Sequence, residues 1–429
     1  MPASTGLYAM LHPWFTALQY PAHATARTAL AQQVTAVLQS QSLRPAARMR
    51  ALPSAATVPA RQRYCCLARA LNRPSLSPVH LTPTLVRAAL ALVPPDQQGR
   101  TVLALDSVRC GGWEVFTLGV VWHSRVVVVG WAVLPYPWPK KAFTPAVVAL
   151  VRQVAAAWPA GCPVHLVADR GFPSKAFFSA LHEVGWGWTV RLQARSWVVT
   201  ATGYDGVVRE LLRQDPETGW TQVEARYGHG PHAVTGTLVI GHPAHQPPRH
   251  QRGPASHQLR HRQAERRVFD LQHKHPGRRT DASAETDRWM ALFTTLPDAH
   301  AAASVYRRRW AIEGSYRDAQ GGWDGQHGWD LEPLLARETA GERVARWVGL
   351  WAISSLVQTW VGDQVAHGPV PVRQVVAQWT TTHRLSVWAR GKFALLDPSE
   401  TLTPWLQMTI NRGAALLATS PPPLLQEAA

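Results

Sequence analysis

Two stretches decide the fold: Thr101-Val-Leu-Ala-Leu105-Asp106 and Val164-His-Leu-Val-Ala168-Asp169. Each is a short apolar run closed by an aspartate. Runs of this length read as buried strands, and both acids fall where such a strand ends. Val115–Trp122 and Val126–Leu134 follow the first run and are joined by a short polar turn, which predicts a hairpin. Ala142 to Trp158 has the spacing of an amphipathic helix. Ser174 to Val184 predicts another, with Ser174 as its cap. Trp188 to Gln193 is again strand-like. The order strand, hairpin, helix, strand, helix, strand predicts an α/β fold: a mixed sheet covered by helices, with the two aspartates at strand ends.

On the N-terminal side, residues 1–95 read as a helical domain. Ala24–Leu38 and Thr82–Leu92 are its clearest helices, the second with Thr82 as cap and Pro83 in the first turn. Between them lie Arg44, Arg48, Arg50, Arg61, Arg63, Arg69 and Arg73 with no acidic residue, a distribution suited to docking on DNA. Pro94-Pro95-Asp-Gln-Gln-Gly99 marks a boundary. Residues 100–194 hold the strands described above.

Residues 195–296 break that pattern. Short alternating segments predict antiparallel strands. His242 to Asp281 is then rich in Pro, His and Arg, with seven histidines, nine Lys/Arg and three acids. Those histidines have no regular metal-ligand spacing, so a basic loop is the expectation. Trp289-Met-Ala-Leu-Phe-Thr-Thr-Leu296 restores a strand. Residues 297–360 return to helices, and 361–429 form a C-terminal helical region, a candidate dimer interface.

The chain has 429 residues and a formal net charge of +17, spread over its length, which predicts a polyanionic partner. Its four cysteines, Cys65, Cys66, Cys110 and Cys162, form neither a zinc pattern nor a disulfide framework. No signal pattern opens the sequence, and no apolar run approaches the ~20 residues of a membrane span. The expected location is the cytoplasm, associated with the nucleoid, with no membrane partner.

A third carboxylate enters on the helical segment Tyr306-Arg-Arg-Arg309-Trp310-Ala-Ile-Glu313. Transfer at a phosphodiester needs charge neutralised at the attacking oxygen, the leaving oxygen and the phosphoryl group. Two divalent ions about 3.5–4 Å apart do this, held by hard oxygen ligands. Two strand-end aspartates and a helical glutamate supply such a set, so Asp106, Asp169 and Glu313 are the candidate catalytic metal ligands. Mg²⁺ is the expected ion, two per site, with Mn²⁺ able to substitute.

These pieces, Leu-Ala-Leu-Asp106, Ala-Asp169-Arg-Gly-Phe172, Trp289-Met-Ala-Leu-Phe-Thr and Tyr306-x-x-Arg309-x-x-x-Glu313, resemble bacterial DDE transposases of the insertion-sequence-four family over about residues 100–360. The acids are separated by 63 and then 144 residues, leaving room for an insertion. The resemblance implies an RNase H-like core split by a β-rich insertion, with Asp106, Asp169 and Glu313 as its metal-binding triad. It implies that Tyr306 and Arg309 contact a phosphate near the transposon end and that Trp289 stabilises a flipped base. A core role for Trp289 stays open beside that, and Trp310 is expected to pack within its helix. Arg170 is placed either near the scissile phosphate or in a structural salt bridge.

Two positions depart from the family pattern. A lysine is expected seven residues after the glutamate, where this chain has Gln320, an uncharged donor that Arg317 would have to support. The first acid is often followed by another acid, and here it is followed by Ser107. The implied activity is cut-and-paste transposition of double-stranded DNA by strand cleavage, a hairpin intermediate and strand transfer, carried out by a homodimer in a synaptic complex. Two other readings stand: an RNase H-like nuclease without strand transfer, and a catalytically inactive, transposon-derived DNA-binding protein.

Overall fold

The computed structural model describes residues 3–20, 23–53, 57–73, 76–214, 220–230, 233–241, 290–320, 329–377, 386–396, 399 and 402–420. They cluster into two compact units, Met1–Trp188 with Val305–Ala429, and Thr189–Ser304. The basic segment 242–281 and Trp289 lie outside the described residues.

The first unit opens with five helices: α1 (Ala3–Ala17), α2 (Ala24–Ser40), α3 (Pro45–Ala51), α4 (Ala60–Leu71) and α5 (Pro78–Leu92). Helix α5 starts four residues before the expected cap. Ser77 precedes it and Pro78 takes the first turn, where its missing N–H costs nothing. Thr82 is accordingly buried inside the helix and not at its cap. Of the seven arginines in the 43–73 stretch, Arg48 belongs to the core. Its side chain donates to Leu43 O at 3.0 Å and Gln33 Oε1 at 2.7 Å, and its guanidinium lies 4.5 Å from the centre of the Trp347 ring. Burial lowers its pKa to about 9. Arg50, Arg61 and Arg69 remain exposed.

Next come β1 (Thr101–Cys110), β2 (Trp113–Trp122), β3 (Arg125–Pro135), α6 (Phe143–Ala156), β4 (Val164–Ala168) and α7 (Lys175–Glu183). Within this unit the strand order is β3-β2-β1-β4. The pairs β1/β2 and β2/β3 are antiparallel, whereas β1 and β4 are parallel. The parallel pair requires a crossover, and α6 supplies it. His123, at φ 53°, begins the two-residue turn of the β2–β3 hairpin. Strand β1 does not stop at Asp106. It continues to Cys110 because β2 pairs with it along that whole length, down to Cys110 opposite Trp113.

Ser174 caps α7 as expected, its hydroxyl accepting from Phe177 N at 3.2 Å. Ser174→Ala should lower stability by about 1 kcal/mol, measured as a shift in denaturant midpoint with an unchanged slope. A loss below a few tenths would mean that the cap is replaced by water.

The unit closes with the end of α9 (Ala299–Arg307), then α10 (Trp310–Gln320), α11 (Leu331–Leu335), α12 (Gly341–His367), α13 (Val370–Ala377), α14 (Val387–Leu396) and α15 (Leu402–Thr419). Helix α12 is buried over most of Val344–Val365. Trp131 of β3 donates its indole N–H to Ala345 O at 2.8 Å, fixing α12 on the sheet. Gly362 of α12 and Gly391 of α14 allow the two backbones to meet. A Cβ at Gly362 would fall 1.6 Å from Val387 O, and one at Gly391 would fall 1.8 Å from Gln358 O.

In the second unit, β5 (Gly187–Arg191), β6 (Trp197–Thr200), β7 (Asp205–Val207), β8 (Trp220–Tyr227), β9 (Val234–Gly241) and β10 (Met290–Thr294) are arranged β5-β10-β9-β8-β6-β7, with α8 (Val208–Gln214) beside β7. The pairings β5/β10, β10/β9, β9/β8, β8/β6 and β6/β7 are all antiparallel. Both units together give a mixed α/β structure consistent with an RNase H-like core. No helix among the described residues is long and apolar enough to cross a membrane.

Candidate active site

The register of β1 and β4 brings the two aspartates together. Their last parallel pair is Leu105 opposite Ala168, so Asp106 and Asp169 are the next residues on adjacent strands. Parallel pairing ends there, while β1 runs on beside β2 and keeps the Asp106 backbone rigid. The Asp106 carboxylate accepts from Ser107 N at 2.8 Å. The Ser107 hydroxyl, in the position where an acid was expected, donates to Glu114 Oε1 at 2.7 Å.

Glu313 comes from the first turn of α10, where the helix dipole favours a carboxylate. Three anchors bind this helix to the β2–β3 hairpin. Val126 N donates to Ser315 Oγ at 2.8 Å, Arg125 pairs with Asp318, and the Tyr316 hydroxyl and Thr117 Oγ1 share a hydrogen bond of 2.6 Å. Thr117 is the residue of β2 opposite Asp106, so the helix bearing Glu313 is bolted to the strand position facing the first acid. Gly314 permits this approach, since a Cβ there would sit 2.8 Å from the Arg125 guanidinium and 2.9 Å from Ser124 O. Burial, then the charge of Asp106, hold Tyr316 well above the usual phenol range, so it stays neutral. Sequence does not single out Tyr316, and it shows the hairpin turn only as a connection between strands, not as an anchor for this helix. The available signal was Tyr316, Arg317 and Asp318 falling on successive positions just after Glu313.

Arg309 stands among the three acids, in the short turn between α9 and α10, and is buried. Its Nη1 donates to Asp106 Oδ2 at 3.0 Å and its Nη2 to Glu313 Oε1 at 2.7 Å. The Tyr306 hydroxyl donates to Asp169 Oδ1 at 3.3 Å. Burial opposes the charge on Arg309, but Tyr306 and the three carboxylates outweigh it and raise the guanidinium pKa. Burial also pushes Asp106 up to about 6. Arg309 and the Ser107 amide pull it down, while Asp169 and Glu313 push it further up. The site is short of positive charge even with Arg309 in place.

The donor set, three carboxylates with one held near pH 6, suits a hard divalent cation. In this structure the guanidinium bridges two of the three acids, Asp106 and Glu313, and no group of three or more His, Cys, Asp or Glu among the described residues is arranged to hold a metal ion.

The other candidates fall in different places. Arg317 lines a cavity of ≈ 380 Å³ beside Glu313, together with Arg307, Arg308, His123 and Trp310. Trp310, expected to pack inside the helix, is 50% exposed there. Its position at the start of α10 turns it away from the core. Arg170 is exposed in the turn directly after Asp169. Gln320, at the far end of α10, hydrogen-bonds the Cys110 thiol, which burial raises to about 12. Gln320 therefore meets the end of β1 and not the carboxylates. Trp289 falls outside the described residues.

No curated protein matches the chain at a significant level. Residues 140–327, somewhat under half the chain, match the family model of the transposase DDE domain, and that segment carries Asp169, Tyr306, Arg309 and Glu313. Over this segment the protein is similar to DDE transposases, which supports a transposase acting on DNA.

Proposed function

We propose that the protein is a cut-and-paste DNA transposase of the insertion-sequence-four family, with Asp106, Asp169 and Glu313 as its catalytic carboxylates. The observation that carries this reading is the convergence of an aspartate within β1, an aspartate directly after β4 and a helical glutamate around one buried cationic position. A structural ion pair needs two charges, whereas here three acids surround a single guanidinium, and an excess of carboxylate is what a phosphodiester-cleaving site requires.

Bound to these residues, a pair of Mg²⁺ ions would neutralise the attacking and leaving oxygens of the scissile phosphodiester. The protein's own groups hold the DNA. Tyr306 and Arg309 lie against the acids and would position a terminal phosphate. Arg317 and Arg307, in the cavity beside Glu313, would track the backbone of the end, and the exposed face of Trp310 would stack on a neighbouring base. Trp289 is assigned the flipped base, and Arg170, next to Asp169, the scissile phosphate. The basic helices of residues 1–95 would dock on the transposon end through Arg50, Arg61 and Arg69. Cleavage, a hairpin intermediate and strand transfer then use one site repeatedly, so synapsis of two ends calls for a homodimer, with residues 361–429 a candidate interface.

The reading is tested by incubating the full chain with duplex DNA carrying the ends of its own element and Mg²⁺. Nicks at the end with a free 3′-OH are expected, followed by hairpins. Tight binding without cutting would instead favour a DNA-binding relic. A second expectation concerns salt. If the exposed arginines neutralise six or more phosphates, log Kd against log salt should have a slope of magnitude about 5 or more, at ~0.9 per phosphate. A slope near 1 would remove the broad DNA-binding face from the account.

A further inference from the structure

We propose that Arg309 is the resident cation of the carboxylate site, held there in the metal-free protein and exchanged for the divalent ion when the site is loaded. This rests on the functional reading above and adds a device to it. Four observations carry it. The guanidinium bridges two of the three candidate ligands, at 3.0 Å to Asp106 and 2.7 Å to Glu313, so it occupies the oxygens that an ion would need. Its side chain is only 7% exposed, so this pairing is not a loose surface contact. Among the described residues its buried Nε has no hydrogen-bond partner, so the hydrogen bonds that hold the side chain come from its two terminal nitrogens. Finally, Arg309 lies in the turn between α9 and α10, where a side chain can swing without breaking a helix. The rings of Tyr306 and Trp310, at 5.9 and 5.8 Å from the guanidinium carbon, flank its path.

An empty site with three acids in close reach would repel itself. Arg309 relieves that repulsion and keeps the ligands gathered, at the cost of competing with the ion that replaces it. Once displaced, the guanidinium is still beside the site and carries its charge to the DNA phosphate. Loading the ion and gripping the DNA end are thereby coupled through one side chain.

The test is a Mn²⁺ titration of the full-length protein without DNA, with free Mn²⁺ followed by electron paramagnetic resonance. Arg309→Gln should bind Mn²⁺ about tenfold more tightly than wild type, and saturating Mn²⁺ should raise its melting temperature by more. Arg317→Gln removes the same charge from the neighbouring cavity and should tighten binding by less than about threefold. Asp106→Asn should lose the site. Equal tightening in the Arg309 and Arg317 variants would reduce the effect to the general field and overturn the exchange. Equal or weaker affinity in Arg309→Gln would overturn it directly, leaving the transposase reading intact. Absence of Mn²⁺ binding in every form would overturn both. If Arg309→Gln does not fold, Arg309→Lys carries the test. It keeps a charge but cannot bridge two carboxylates, and it should tighten binding by a smaller factor.

Discussion

Glu313→Gln should abolish DNA cleavage while leaving DNA binding within about twofold of wild type. The glutamate sits on a helix fixed at three points to the β2–β3 hairpin, so an isosteric amide leaves α10 in place. What changes is the charge. An amide oxygen is a weaker ligand for a hard cation, and Arg309 loses one of its two carboxylate partners. Removing a ligand from a site that supplies several kcal/mol of transition-state stabilisation should slow cleavage by about 10³-fold or more. Single-turnover cleavage and gel-shift binding on the same DNA separate the two effects. Cleavage slowed by less than about tenfold would remove Glu313 from the chemistry. Parallel loss of cleavage and binding would make it a structural residue of the DNA interface.

Asp106→Asn should inactivate the enzyme and stabilise the metal-free protein. Asp106 has its carboxyl pKa raised from 3.8 to about 6, chiefly by burial. Each unit is worth ~1.4 kcal/mol, so ionised Asp106 costs the folded state roughly 2–3 kcal/mol at pH 7.5. The direction follows from the protons. Between pH 3.8 and about 6 the folded state holds a proton that the unfolded chain has released. Stability from this group therefore falls as pH rises through that window, and the full cost is present above it. The asparagine never ionises, so its advantage should be about 2–3 kcal/mol at pH 7.5 and should shrink to well under ~1 kcal/mol by pH 4. Chemical denaturation at both values, with chelator present, measures this. A variant less stable than wild type at pH 7.5 would mean that the pairing with Arg309 outweighs the burial of the acid. An acid with the proposed catalytic role that destabilises its own fold would be the expected trade-off between stability and function.

The two aspartates were legible because a buried parallel strand has a simple signature, an apolar run with a polar stop, and β4 ends at its aspartate. Strand β1 misled for a related reason. Its apolar run closes at Asp106, which reads as the strand's end, yet β2 supplies hydrogen-bond partners as far as Cys110, and tertiary pairing overrides the local pattern. Position of the α5 start was missed because Thr82-Pro83 imitates a cap, while Ser77-Pro78 does the same one turn earlier. Arg48 was counted with the surface arginines, since sequence cannot show that Trp347, about three hundred positions away, would cover it. The site's central feature was equally hidden. Arg309 was noticed as a contact to DNA, but its place between Asp106 and Glu313 depends on how α10 docks against the hairpin. That docking uses Thr117, Arg125, Ser315, Tyr316 and Asp318, long-range pairs that carry no local periodicity.

The most direct test of the account is strand transfer itself: DNA ends already cut to expose a 3′-OH, supercoiled plasmid as target, full-length protein and Mg²⁺. Wild type should join the ends to the plasmid, and Asp106→Asn, Asp169→Asn and Glu313→Gln should each fail to do so while still binding the ends. Joining that persists in any of the three variants would contradict the claim that these carboxylates form a single active site. Cutting of uncut ends without any joining would make the protein a nuclease and not a transposase.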